Sequence, residues 1–154
     1  MPESASIFIA APPEVVYATV SDITRMGEYS PECYSCEWVE GASDASVGAK
    51  FLGRNKSGLI KWKTTCRVID ATPGSEFAFT VVGKNSDSTV WRYAIASADG
   101  GTTLTESCEA PPSGNSTLEK AYTTILFGGE TKRSAKRIAG MQTTLARIKA
   151  VIEK

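Results

Sequence analysis

Apolar positions near the start of the chain predict a short strand followed by a short helical segment. Residues 6–10 (SIFIA) form a β-prone run. Pro13 follows this run, and proline suits the first turn of a helix because its missing amide would be unpaired there. Helical spacing then continues until Gly27 and Pro31 break the pattern. The apolar residues that share one face of this segment are Val16, Val20 and Ile23.

Between Cys36 and Ala110, β-prone runs alternate with clusters of turn-forming residues, a pattern that predicts six consecutive strands. Two of the connections, Asn55–Gly58 and Asp99–Gly101, are short enough for hairpins. Parallel strands would instead need crossovers of about a dozen residues or more. The runs therefore predict an antiparallel meander.

Alternation within these strands assigns the side chains to two faces of the sheet. In residues 61–68, every second side chain is a tryptophan, threonine, cysteine or valine, and those between are mostly charged. The same rule applied to the later strands predicts an inner face that is rich in aromatic side chains. Its members are Trp62, Thr64, Cys66, Val68, Phe77, Phe79, Val81, Trp91, Tyr93 and Ile95.

The end of the chain is predicted to be helical. A breaker at residues 111–114 (PPSG) precedes Ser116–Glu119, which fits a capping box. Gly128-Gly129 should interrupt the helix, and beyond it apolar residues recur at steps of three and four over about 35 Å. The apolar stripe consists of Leu118, Tyr122, Ile125 and Leu126 before the glycines and Ile138, Met141, Leu145, Ile148 and Ile152 after them, with Thr131 and Ser134 extending it toward the helix start.

This order of elements predicts a single α+β domain over residues 1–154. A curved antiparallel sheet would wrap around the long C-terminal helix, and the residue pattern alone favours a filled apolar core between them. The composition agrees, because 42% hydrophobic and 22% charged residues are typical of globular proteins. A chain of 154 residues can also bury one core of ordinary size.

Charge and residue content argue against several classes of function. Lys plus Arg and Asp plus Glu both number 17, so no net charge attracts nucleic acid, which we do not expect as a partner. The absence of histidine excludes catalytic triads and metal sites that need an imidazole. Residues 1–16 lack a signal-peptide pattern and no long apolar stretch occurs. We therefore expect a cytoplasmic monomer or homodimer without stable membrane insertion, cofactor or metal.

The four cysteines are too few for a disulfide scaffold in a chain of this length. Cys33 and Cys36 have C-x-x-C spacing, which lowers a thiol pKa at a helix N-terminus, but here the motif falls between a helical turn and a strand. Zinc would need two further ligands, and Cys66 and Cys108 lie on strands that the meander separates. We therefore expect small thiols without a metal or redox role.

Several local sequences, in this order, resemble the START-like superfamily, also called the Bet v 1-like or SRPBCC family of polyketide cyclase/dehydrase and lipid-transport proteins. They are IFIAAPPEVVYATVSD, GEYSPEC, VGAKFLGRNKSG with a tryptophan shortly after, ATPGSEFAF, TVWRYAI with GGTTLTES, and GMQTTLARIKAVIE. The resemblance implies a helix-grip fold, in which a seven-stranded antiparallel sheet holds the C-terminal helix around a hydrophobic cavity.

The same resemblance implies ligands such as lipids, sterols, plant hormones or polyketides, and some members are aromatase/cyclases or chaperone cofactors. These proteins share a cavity and not a catalytic constellation, so the resemblance assigns no enzyme activity. A filled core is the alternative to a cavity. The residues predicted to line the cavity are Trp62, Thr64, Cys66, Phe77, Phe79, Val81, Trp91, Tyr93, Glu106, Tyr122, Thr131, Ser134, Ile138 and Met141.

Glu106 is the carboxylate most suited to chemistry in such a cavity. It shares strand parity with Leu104 and Cys108, so its carboxyl is predicted to point inward. Burial would raise its pKa and suit it to acid or base catalysis, or to binding a ligand hydroxyl. The alternative is a structural ion pair or hydrogen bond. The structural partners considered are Arg92, Arg54 and Tyr93.

The final segment, residues 130–154, holds seven basic residues against two acidic ones. Such an excess favours contact with phosphates or anionic lipid only weakly, and a solvated helix face paired with acidic sheet edges is the expected arrangement. The basic residues that begin the segment are Lys132, Arg133, Lys136 and Arg137.

Three functions follow from these patterns. The leading hypothesis is a non-catalytic carrier or sensor of a hydrophobic small molecule, because the inner face is aromatic and lacks a recognisable catalytic set. The second is a polyketide cyclase/dehydrase that uses Glu106, Tyr93 or Tyr122 for proton transfer. The third is a protein-interaction domain whose partner docks on the helix or on the sheet rim.

Overall fold

The structure of the chain is a computed structural model that describes residues 3–83, 87–109 and 130–154. Within these residues, seven strands, three α-helices and one 3₁₀ turn are formed. The strands are β1 (Glu3–Ile9), β2 (Cys33–Val39), β3 (Lys50–Ser57), β4 (Ile60–Thr72), β5 (Glu76–Val81), β6 (Val90–Ala98) and β7 (Gly101–Glu109). The helices are α1 (Pro13–Val20), α2 (Met26–Tyr29) and α3 (Glu130–Ile152), and the 3₁₀ turn spans Ile23–Arg25.

The strands form one antiparallel sheet in the order β1-β7-β6-β5-β4-β3-β2. Six of them are the predicted meander, in which each strand pairs with the next along the chain, and β1 joins its far edge by pairing with β7. The predicted hairpin at Asn55–Gly58 is tighter than expected. Strand β3 continues to Ser57, and Gly58, with a φ of 61°, forms the turn with the residue that follows it.

The short helices cover one end of the sheet, as predicted. Pro13 begins α1, and the residues on one face of that helix are buried. The predicted break at Gly27 is wrong, because α2 runs through this residue. A Cβ atom on Gly27 would lie 2.4 Å from the backbone oxygen of Tyr34, so the missing side chain lets α2 pack directly on β2. The buried residues of the predicted face are Val16, Val20 and Ile23.

Helix α3 confirms the predicted C-terminal stripe. Met141, Leu145 and Ile148 are each 1% exposed, and Ile138 and Ile152 at either end are half-buried. The helix packs along β1 and against α1 and α2. The predicted capping box, the glycine interruption and the apolar residues before it lie outside the described residues; they are Ser116–Glu119, Gly128-Gly129, Leu118, Tyr122, Ile125 and Leu126.

One hydrophobic core joins the inner face of the sheet to all three helical segments. It contains the buried aromatic residues Tyr29, Phe51, Phe77, Phe79 and Tyr93 together with aliphatic residues of α1 and α3. No helix among the described residues has both the length and the apolar character needed to cross a lipid bilayer. The fold is therefore the predicted helix-grip arrangement of a seven-stranded sheet with a C-terminal helix.

Candidate functional site

Cross-strand register gathers aromatic side chains on the inner face and places a carboxyl group among them. Phe77 pairs with Tyr93, and Phe79 pairs with Trp91. Tyr93 in turn pairs with Glu106. The predicted parity of Glu106 is confirmed, since it is 3% exposed and lies beside these aromatic residues on one face of the sheet.

The residues predicted to line a cavity differ in burial. Six are buried, namely Cys66, Phe77, Phe79, Tyr93, Glu106 and Met141. Six more are half-buried, namely Trp62, Thr64, Val81, Trp91, Ser134 and Ile138. Tyr122 and the side chain of Thr131 lie outside the described part of the chain. The inner face thus combines a closed region around β5 to β7 with a more open one toward β2 and β4.

The Glu106 carboxyl is held in an environment that favours its neutral form. Burial raises its pKa from 4.5 to about 8, and a hydrogen-bonding interaction with the Tyr93 hydroxyl offsets part of that rise. The Oε2 atom has no hydrogen-bond partner among the described residues. A carboxyl in this state can donate a proton or a hydrogen bond near neutral pH, and can accept one after it ionises.

Of the three structural partners considered for Glu106, only Tyr93 interacts with it. Arg54 pairs with Glu37 at 2.7 Å, and Arg92 pairs with Glu76 at 2.9 Å. Burial, followed by the neighbouring Glu106 carboxylate, raises the pKa of Tyr93 well above its usual value of 10.0. Tyr93 therefore stays protonated across the physiological range and remains a hydrogen-bond donor.

Tyr29 is a buried polar residue that the sequence analysis did not single out. It is 2% exposed, and its hydroxyl has no hydrogen-bond partner within the described residues. The Arg25 guanidinium lies 5.6 Å from its ring centre, and Arg147 donates to its backbone oxygen at 3.3 Å. Periodicity alone does not find Tyr29, because the 3₁₀ turn before α2 interrupts the helical spacing that begins in α1.

Two thiols meet at the start of β2. The Sγ atoms of Cys33 and Cys36 lie 3.3 Å apart. The register between β2 and β3 shifts between Cys33 and Ser35, which makes Tyr34 the extra residue of a β-bulge. A Cβ atom on Gly53 would lie 3.6 Å from the Cys36 sulfur and 3.8 Å from the Cys33 sulfur. Both sulfurs therefore pack over Gly53 on the same side of the sheet.

The other two cysteines lie apart from this pair. Cys66 and Cys108 are buried on β4 and β7, which β5 and β6 separate, as predicted. Burial raises the pKa of Cys66 to about 12, so it is a neutral thiol. No group of three or more potential ligands is close enough to hold a metal ion in the described ranges.

The basic residues of α3 pair with the sheet and its loops. Arg137 forms an ion pair with Glu3 of β1 at 2.5 Å, and both side chains are about four-fifths buried. Lys136 hydrogen-bonds to Ser57 and lies 3.9 Å from Glu32. The predicted pairing with acidic groups at the sheet edge is confirmed for these two residues, whereas Lys132 is exposed.

A surface depression of 460 Å³ lies at the loop between β2 and β3. Its lining consists of short or charged residues in the range 40–50, none of which belongs to the predicted site. Since β4, β5 and β6 separate this loop from Glu106 on β7, the depression is not an entrance to the aromatic face.

Comparison with known proteins agrees with the fold and extends it. The model of the family described as polyketide cyclase/dehydrase and lipid transport matches residues 4–153. The NMR structure of the Polyketide_cyc-like protein Cgl2372 from Corynebacterium glutamicum is 36% identical, with a TM-score of 0.62 over 99% of this chain and 91% of that one. No protein with a curated description gives a significant match.

Two more distant structures share the fold. Protein CV1439 from Chromobacterium violaceum is 21% identical, with a TM-score of 0.64 over 100% of this chain and 99% of that one. The di-domain ARO/CYC BexL from the BE-7585A biosynthetic pathway is 17% identical, with a TM-score of 0.75 over 100% of this chain and 50% of that one. At these identities the likeness concerns the fold alone.

Proposed function

The chain belongs to the polyketide cyclase/dehydrase and lipid transport family, and on that premise we propose that it binds a hydrophobic small molecule, lipid-like or polyketide-like, between the sheet and α3. Family membership supports either ligand binding or cyclase chemistry. We favour binding without turnover, because the group beside the buried acid Glu106 in the described part of the chain is Tyr93, which stays protonated and supplies no base.

The observation that carries the proposal is the Glu106 carboxyl. It is 3% exposed, one of its oxygens lacks a partner within the described chain, and its neighbours on the inner face are aromatic. An uncompensated buried polar atom destabilises a protein by about 1–3 kcal/mol. A hydroxyl or carbonyl oxygen of a ligand would satisfy it, and Tyr93 would hold the carboxyl in position.

The half-buried residues supply the apolar part of the site. Trp62, Val81, Trp91 and Ile138 each keep exposed surface on the inner face of the sheet or on α3. Burial of apolar surface is worth about 25 cal/mol per Å², so a ligand that covers roughly 300 Å² would gain about 7.5 kcal/mol before the cost of association. Apolar contact would thus provide affinity, and Glu106 would orient the ligand.

Native mass spectrometry of the purified protein, followed by solvent extraction, tests the proposal directly. We expect a bound species whose extract contains a lipid or a polyketide-like compound. In parallel, anilinonaphthalene sulfonate should fluoresce on binding and be displaced by oleate or by a hydroxylated polycyclic aromatic. Protein that carries no extractable ligand and binds none of these probes would overturn the proposal.

A matched pair of variants tests the role of Glu106. Glu106→Met keeps the length of the side chain but removes its hydrogen-bonding oxygens, and should weaken binding of the hydroxylated probe about tenfold, the worth of one lost hydrogen bond. Glu109→Met removes an exposed carboxylate on the same strand and should leave binding unchanged. Equal affinities in the two variants would remove Glu106 from the site.

The second candidate is a cyclase, and the raised pKa of Glu106 favours it. An acid whose pKa lies at about 8 can protonate a carbonyl oxygen and, once ionised, remove a proton from the adjacent carbon near neutral pH. Incubation with a short poly-β-ketone mimic should then yield a cyclic product that Glu106→Gln does not form. Binding of the mimic without turnover by the parent protein would contradict the cyclase hypothesis.

A further inference from the structure

The thiol pair of β2 lies on the same sheet face as the proposed ligand site but takes no part in the function proposed above. It has a geometry of its own. Residues three apart in a regular strand point to opposite faces and lie about 10 Å apart. Here the bulge takes Tyr34 out of the ladder, so Cys33 and Cys36 are effectively two positions apart and share a face. Their sulfurs consequently approach to 3.3 Å.

From this juxtaposition we propose that Cys33 and Cys36 form a thiol–disulfide exchange site, which reacts with a low-molecular-weight disulfide and closes to an intramolecular disulfide. A disulfide requires an S–S bond of about 2.05 Å and Cα atoms roughly 4.4–6.8 Å apart. Strand residues two positions apart meet the second requirement approximately. The sulfurs then have only a short distance to move.

The surroundings of the pair permit that movement and admit a reagent. Gly53 lies beneath both sulfurs and adds no side chain, so the thiols share the space above the β3 backbone with the Thr64 hydroxyl, which would lie 3.1 Å from a Cβ atom there. Both cysteines are half-buried and not sealed in the core, whereas Cys66 and Cys108 are 3% exposed. Tyr34 between them is 45% exposed and β2 is the last strand of the sheet, so the pair lies at a sheet edge.

The two thiols share one hydrogen bond in which either sulfur can donate, and the Cys33 thiol can also donate to the Ser35 carbonyl oxygen at 3.5 Å. The contact with Cys36, partly offset by burial and supported by backbone hydrogen bonds of Ser35 and Arg54, lowers the pKa of the Cys33 thiol. The same contact with Cys33, followed by burial, raises the pKa of the Cys36 thiol. Cys33 is therefore the sulfur that ionises first and attacks.

The exchange proceeds in two displacement steps. The Cys33 thiolate attacks one sulfur of the external disulfide, whose S–S bond breaks, and one thiolate leaves. Cys36 then gives up its proton and attacks the Cys33 sulfur of the mixed disulfide, and the second thiolate leaves. Two protein thiols are oxidised to one disulfide, and the external disulfide is reduced to two thiols. The protons released by Cys33 and Cys36 go to the two thiolates that leave.

Oxidised glutathione is the probe for the test, with intact-mass measurement and peptide mapping under non-reducing conditions. The folded protein should lose the mass of two hydrogen atoms, and mapping should join Cys33 to Cys36. Dithiothreitol should reverse the change. Failure to form this bond under conditions that oxidise a small control dithiol, or mapping to Cys66 or Cys108, would overturn the proposal.

Single substitutions test the assigned order of attack. In Cys36→Ser the mixed disulfide with glutathione should accumulate on Cys33, because the resolving thiol is gone. In Cys33→Ser the remaining Cys36 should react about tenfold more slowly. Equal rates would contradict the assignment of Cys33 as the attacking thiol. The matched control is the Cys66→Ser, Cys108→Ser double variant, which should form the disulfide as the parent does. If a variant misfolds, peptide mapping of the parent protein still shows whether Cys33 and Cys36 are joined.

Discussion

Two regions of one sheet face show how burial and local backbone geometry prepare different chemistry. The carboxyl region, which comprises Phe77, Tyr93 and Glu106, is almost fully buried. The thiol region, which comprises Cys33, Cys36, Gly53 and Trp62, lies near the opposite edge and is less enclosed. In the first, the exclusion of water sets the protonation of the acid; in the second, a bulge sets the distance between two sulfurs.

The largest expected effect tests the difference in burial. Phe77→Ala in the carboxyl region should lower the free energy of unfolding by about 3–5 kcal/mol, because it leaves a cavity at a side chain that is 0% exposed. Trp62→Ala in the thiol region removes a larger side chain but should cost roughly 1–2 kcal/mol, since that side chain is already partly exposed to solvent. Urea unfolding of both variants measures the comparison, and equal losses would contradict it.

The next effect concerns the pH dependence of stability, which belongs to the carboxyl region. The folded pKa of Glu106 is about 8, whereas the ordinary value is 4.5. Between these values the unfolded chain ionises while the folded one stays protonated, so stability should fall as pH rises from about 4.5 to about 8. Below that window, the carboxyl is protonated in both states and contributes no pH dependence.

Glu106→Gln isolates this contribution because an amide of the same shape does not titrate. The difference in unfolding free energy between the variant and the parent should grow in favour of the variant by something on the order of 3 kcal/mol between pH 5 and pH 8. Denaturant curves at several pH values measure it. Parallel pH profiles for the two proteins would show that Glu106 is ionised in the fold.

The smallest effect tests the packing that supports the thiol region. Gly27→Ala would place a Cβ atom 2.4 Å from the backbone oxygen of Tyr34, the bulged residue between the two cysteines. We expect a loss of about 1–3 kcal/mol, as for overpacked cores, and slower closure of the disulfide. The control is Gly140→Ala in α3, where the nearest atom would be Pro31 Cγ at 3.5 Å; it should be neutral or stabilise by up to about 1 kcal/mol. Similar losses in both variants would point to a general effect of replacing glycine.

Much of the fold and part of the site could be predicted because they depend on short-range regularities. Alternation in strands placed Phe77, Tyr93 and Glu106 on the inner face, and steps of three and four placed Met141 and Leu145 on the buried side of α3. Antiparallel pairing followed from the short connections. Each inference needed only the repeat of side-chain direction within one strand or one helix, which backbone geometry dictates. That these residues line a ligand cavity remains a prediction.

The remaining features depend on contacts between elements that no local period records. Gly27 was interpreted as a helix break, yet it lies within α2 because the backbone of β2 passes against it. The burial of Tyr29 could not be predicted from helical spacing, because a 3₁₀ turn precedes α2 and shifts which side of the helix faces the core. Tyr93 is the partner of Glu106 because both arginines form ion pairs elsewhere. Arg54 pairs with Glu37 and Arg92 pairs with Glu76, and no local period predicts these pairs.

The thiol pair shows most clearly the difference between what local periods predict and what contacts between elements decide. The C-x-x-C spacing is visible in the sequence, but strand parity would direct the two sulfurs to opposite faces. One extra residue in β2, accommodated where β3 offers Gly53, reverses that parity and brings the sulfurs together. Sequence alone determined which groups the inner face carries where the strands are regular, because side-chain direction alternates along them. Only the tertiary structure decided which of them meet, because cross-strand register and a single bulge set those distances.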